Sequence, residues 1–141
     1  MKIKLIDHGY KVLGLAPQRA HYNDSGADVF ATNDTVLRAG AVTKVPVGVG
    51  CEIPDGYDIV VHCKSGLSSK GIFAMNAPVD AGYTGEINAI LFNATSEDIL
   101  IEQGEKVGQL VVRPVVYAEF VESLGEERGE NAFGSSGNMA K

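Results

Sequence analysis

The sequence predicts an all-β fold, a jelly-roll or barrel of short strands with at most one short helix and a flexible carboxy-terminal arm. Three observations carry that expectation. The apolar runs are short and rich in Val and Ile, at residues 42–53, 57–64, 86–93, 98–102 and 107–121. Glycine is abundant, 17 of 141 residues, and concentrates between apolar runs. Turn signals recur roughly every eight to twelve residues, the rhythm of barrels and double-sheet folds.

Each element has a local reason. In Tyr57-Asp58-Ile59-Val60-Val61-His62-Cys63 the residues Tyr57, Ile59, Val61 and Cys63 share one parity. Period-two patterning of this kind marks a half-buried strand. Pro54-Asp55-Gly56 is a turn in which Pro presets φ and Gly permits positive φ. Asn33-Asp34 and Arg38-Ala39-Gly40 read the same way. A helix is expected only around residues 67–70, and no internal repeat is present. Residues 128–141 carry little apolar content apart from Phe133. They read as a mobile arm on a single domain that spans 1–141.

Composition narrows the function classes. With 45% hydrophobic and 21% charged residues the chain is an ordinary globular protein, not a disordered one. A net charge of −6 argues against direct nucleic-acid binding, which runs on surplus Lys and Arg. No run approaches the roughly eighteen apolar residues of a membrane span, and no signal-peptide core follows Met1. Cys51 and Cys63 fit no zinc or redox spacing, so two partly buried thiols in a reducing cytoplasm are expected. His8, His21 and His62 likewise show no ligand spacing.

Five polar islands interrupt the strand pattern: Ser25-Gly26-Ala27-Asp28-Val29, Lys64-Ser65-Gly66-Leu67-Ser68, Val79-Asp80-Ala81-Gly82-Tyr83-Thr84-Gly85-Glu86, Gly104-Glu105-Lys106-Val107-Gly108-Gln109-Leu110, and residues 128–137. Singly, each reads as readily as a turn, and Asp28 or Asp80 as a turn cap. Together, in this order and spacing, they resemble the five motifs of the trimeric dUTPase family over nearly the whole chain. Three departures stand out. Lys64 replaces the usual Arg, the lead-in Asn76-Ala77-Pro78-Val79-Asp80 differs, and Thr84 follows the tyrosine where a basic residue is common.

The resemblance implies a dUTP diphosphatase. Water would attack the α-phosphate of dUTP to release dUMP and pyrophosphate, keeping uracil out of DNA and supplying dUMP for thymidylate synthesis. It implies Asp80 as the base that orders and deprotonates the water, and Asp28 as the acid that reaches Mg2+ through coordinated water. Such a metal keeps few protein ligands when phosphates supply the rest. Lys64, Ser65, Gly66 and Gln109 would contact the phosphates, with Lys64 lacking the bidentate fork of Arg. Tyr83 would pack under the deoxyribose, and Asn76 is a candidate for the base edge. Phe133 would stack on uracil, with Arg128, Gly134, Ser135 and Ser136 around the γ-phosphate as the arm closes. In the family that arm crosses to a neighbouring subunit, so the resemblance also implies a homotrimer with shared sites.

Two other readings compete. The same fold hosts deoxycytidine triphosphate deaminases, which use a glutamate and lack the closing arm. A reading from a different class is a nucleotide-gated binding protein whose work is contacting a regulatory protein partner. Phage-encoded relatives do this, often through an insert between motifs, and no insert is visible here.

Overall fold

The computed structural model describes residues 1–75 and 77–125. Ten strands and two single-turn helices make up these residues, and every strand pairing is antiparallel. The strands are β1 (Lys4–Asp7), β2 (Ala27–Phe30), β3 (Thr35–Leu37), β4 (Val42–Pro46), β5 (Val49–Glu52), β6 (Tyr57–Cys63), β7 (Ile72–Ala74), β8 (Asn88–Asn93), β9 (Ile99–Ile101) and β10 (Lys106–Pro114). They form four small sheets ordered β1-β5, β2-β10-β6, β3-β9 and β4-β8-β7. Non-sequential neighbours dominate, as the jelly-roll expectation requires.

The run 42–53 does not form one strand. Gly48, at φ +72°, breaks it, and β4 and β5 belong to different sheets. A Cβ at Gly48 would stand 2.8 Å from Thr32 Cγ2 and 3.0 Å from the Tyr10 nitrogen. Both the positive φ and the close approach therefore require glycine. The run 107–121 is also shorter than its hydrophobicity predicts. β10 stops at Pro114, which has no N–H to extend the ladder.

Two further corrections concern β6 and the helices. Asp58, Ile59, Val60 and Val61 are all buried, so the centre of β6 is covered on both faces rather than one. Asp58 tolerates burial because the Arg113 guanidinium grips it with two hydrogen bonds, of 3.1 and 2.9 Å. The expected helix forms as α2 (Ser65–Ser68), slightly earlier than predicted. A second helix, α1 (Tyr10–Leu13), was not predicted. Four residues are too few to show a helical period, and the buried Tyr10 ring holds this one.

The turns at Pro54-Asp55-Gly56 and Arg38-Ala39-Gly40 form as predicted, closed by Tyr57 N–H to Pro54 O at 3.2 Å and Ala41 N–H to Arg38 O at 3.1 Å. The core comprises side chains from almost every strand, among them Val29, Leu37, Ile59, Ile72, Leu91, Ile101 and Val107. Cys51 is buried and Cys63 half-buried, both as free thiols, and burial raises the pKa of Cys51. No helix among the described residues is long and apolar enough to cross a membrane.

Candidate active site

The first four islands converge on two places, both arranged around β6. On one flank β6 pairs with β10, which in turn pairs with β2. Gln109 sits at the crossing, opposite Asp28 on one side and His62 on the other. Beyond His62 the chain continues through Cys63 into Lys64, Ser65 and Gly66. The first, second and fourth islands thus meet at one end of this sheet.

Local geometry shapes each member of this group. A bulge in β10 between Lys106 and Gly108 brings Lys106 opposite Phe30, diagonal to Asp28. Its ammonium lies 3.4 Å from the Asp28 carboxylate, a half-buried pair. Asp28 therefore caps no turn. Gln109 does not face open solvent either. Its side chain lies on Gly26, where an added Cβ would come within 2.9 Å of Gln109 Cβ and Cγ. The Lys64 stem runs past Gly66, and the Lys64 carbonyl accepts the N–H groups of Leu67 and Ser68 at 3.1 and 3.0 Å. Ser65 and Gly66 open α2, where N–H groups have no partner within the helix.

On the other flank of β6 lies the third island, as a hairpin. Val79 and Ile59 exchange two backbone hydrogen bonds, of 2.7 and 3.1 Å. The turn that follows is closed by the main chain, Tyr83 N–H to Asp80 O at 3.0 Å. Asp80 therefore does not use its carboxylate to build the turn. The group is exposed and accepts no hydrogen bond from the other described residues. The Tyr83 ring folds over Gly85, where a Cβ would stand 2.7 Å from Cζ, and its hydroxyl donates to Glu86 O at 2.8 Å. Asp80 and Tyr83 line a cavity of about 290 Å³ together with Val79, Glu86, Asn88 and Lys44.

None of Asp28, Lys64, Ser65, Gly66 and Gln109 lines that cavity. Ile59, which carries the hairpin, and His62, opposite Gln109, are three residues apart on β6, or ~10 Å along the strand. Within one chain, then, the base candidate and the phosphate-contact candidates occupy separate places. Asn76, Arg128, Phe133, Gly134, Ser135 and Ser136 lie outside the described residues.

Three contributors were not singled out from the sequence. Gly26 and Lys106 sit within recognised islands, but only the bulge and the cross-strand register reveal what they touch. His8 carries no sequence signal, yet its Nε2 lies 3.1 Å from Thr84 O.

Small antiparallel sheets, one free carboxylate beside an aromatic ring, and a separate set of backbone, amide and ammonium donors define a β-fold protein suited to a phosphorylated ligand. The dUTPase family model matches residues 14–137. A deoxyuridine 5'-triphosphate nucleotidohydrolase of Clostridium tetani is 38% identical over 143 residues, covering 97% of this chain and 96% of that protein. A mutant dUTPase of Staphylococcus bacteriophage 80alpha, solved with dUpNHpp, is 27% identical with TM-score 0.77, covering 96% of this chain and 98% of that one. A mutant dUTPase from phage phi11 of S. aureus, described with a structural Mg(II) ion, is 23% identical with TM-score 0.77, covering 88% of this chain and 99% of that one. This chain belongs to the dUTPase family.

Proposed function

We propose that this protein hydrolyses dUTP to dUMP and pyrophosphate, with Asp80 as the general base. The observation that carries this reading is the Asp80 carboxylate, left free by a main-chain turn and set beside Tyr83 in a 290 Å³ cavity, within a dUTPase-family chain. A carboxylate in that position can hold a water and take its proton as the water attacks phosphorus. Tyr83, pinned flat over Gly85, gives the deoxyribose a rigid floor that a 2′-hydroxyl would strike. Lys64, Ser65, Gly66 and Gln109 supply cationic, hydroxyl, backbone and amide donors to the triphosphate, whose developing charge must be offset.

Magnesium is the metal that suits these residues. No cluster of three or more His, Cys, Asp or Glu side chains exists among the described residues, so an all-protein cage is not what they offer. The single half-buried carboxylate of Asp28 fits an ion that keeps its waters and takes its remaining ligands from phosphates. When bound, Mg2+ would neutralise phosphate charge. Asp28 would hold it through water, and Lys106 holds Asp28 in the meantime.

The assembly we propose is a homotrimer with sites shared between subunits. Two observations support it. The Asp80 hairpin and the Asp28–Gln109–Lys64 group lie on opposite flanks of β6, an arrangement that suits a second copy bringing its own group to the hairpin. Past β10 the chain leaves large apolar side chains uncovered, with Val116, Phe120 and Leu124 each at least 90% exposed. Residues 128–141 then serve as an arm that closes over the nucleotide, through Arg128, Phe133, Gly134, Ser135 and Ser136.

Pyrophosphate release tests the reading, measured from each common deoxynucleoside triphosphate with and without Mg2+. Release confined to dUTP and dependent on the metal is expected. Equal release from dCTP or dTTP would sink the assignment.

A further inference from the structure

We infer that His8, which belongs to none of the five motifs, is a positioning residue for the apex of the Asp80–Tyr83 hairpin. The inference rests on the reading of that hairpin as the segment that carries the general base and packs against the sugar. The hairpin is anchored at both ends. Val79 pairs with Ile59, Ile87 N–H donates to Val49 O at 2.8 Å, and Glu86 Oε2 accepts Gly48 N–H at 3.0 Å. Between these anchors, residues 80–85 receive one hydrogen bond from elsewhere among the described residues, and it comes from the His8 ring.

The bond is 3.1 Å long and joins residues 76 apart in sequence. A carbonyl oxygen only accepts, so Nε2 of His8 must carry the proton, in the neutral Nε2–H tautomer or the imidazolium. The backbone behind the ring is fixed from two sides. Asp7 Oδ1 accepts the N–H groups of Gly9 at 2.8 Å and Lys11 at 3.3 Å. Gly48 O accepts the N–H groups of His8 and Tyr10 at 3.0 and 3.1 Å.

Gly50 on β5 completes the contact. A Cβ there would meet Gly85 O at 2.7 Å, Thr84 O at 2.9 Å and His8 Cδ2 at 3.0 Å. The turn, the imidazole and the β5 backbone therefore pack with no space for a side chain between them. A ring held by its own backbone and bonded to the apex restrains the segment carrying Asp80 and Tyr83, without itself touching substrate.

The test compares the full-length protein with His8→Ala and His8→Gln by amide hydrogen exchange and by steady-state kinetics. His8→Ala should speed exchange of the amides in residues 81–86. It should also raise KM for dUTP by about three- to tenfold, the range one net hydrogen bond spans, with a smaller change in kcat. His8→Gln offers an amide donor on a stem of similar reach and should restore both. Unchanged exchange in His8→Ala overturns the tether. Faster exchange with an unaltered KM overturns the positioning role, and failure of Gln to rescue overturns the hydrogen bond as its basis. The sugar-packing role of Tyr83 is judged separately, by the UTP to dUTP ratio of Tyr83→Ala, so the two ideas can fail independently.

Discussion

Asp80, the proposed base, leaves the building of its turn to the main chain. Its carbonyl closes the turn, which leaves the carboxylate with no hydrogen bond to lose among the described residues. Asp80→Asn should therefore fold normally and keep its affinity for a non-hydrolysable nucleotide, while turnover falls about 10²–10⁴-fold. Retention of more than about a tenth of the rate would assign the base elsewhere. Gly85 makes a sharper probe of sugar choice than the tyrosine it supports. A methyl at Gly85 would lie within 3.0 Å of the Tyr83 ring and hydroxyl, so the ring must swing out. Gly85→Ala should raise UTP hydrolysis relative to dUTP, as Tyr83→Ala should. If discrimination survives in both variants, something other than the tyrosine excludes the ribose.

At the scale of elements, Gly48 decides the architecture by handing the chain from one sheet to another. Gly48→Ala must place a Cβ at φ +72°, against Thr32 and the Tyr10 backbone. The left-handed conformation alone costs about 1–2 kcal/mol, and the contacts add to it. A lower urea midpoint with unchanged slope is the expected result, and no loss would mean that the backbone there rearranges freely. Hydropathy could not foresee this hand-over. Residues 42–53 read as one apolar run, and only a positive φ with a neighbour pressing on it separates β4 from β5. Strands β1, β2, β3 and β7 escaped for a related reason, being three or four residues each, too short for alternation to register. The candidate site could be picked out where chemistry demands particular residue types in a row, as at Val79–Glu86. It was illegible where contacts cross between distant segments, as in the Lys106–Asp28 pair and the His8–Thr84 bond.

At the scale of the molecule, the two groups flanking β6 lead to a complementation experiment. A chain truncated before Arg128 should stay folded and trimeric yet lose most activity, since it keeps every strand described above. An Asp80→Asn chain with its arm intact should be inactive for a different reason. Co-refolded together, the two should regain activity if, as proposed, an armed chain closes over a neighbour's sound Asp80. Mixed trimers that form but stay silent would show that each arm serves its own chain.

The placement of Asp80 on one flank of β6 and Gln109 on the other has a consequence for how the enzyme answers to its own abundance. If neither flank makes a working centre unaided, catalytic capacity does not scale simply with the number of chains. Specific activity should hold steady at high protein concentration and fall away on dilution once subunits part. A cell making little of this protein would then hold disproportionately less activity than its chain count implies.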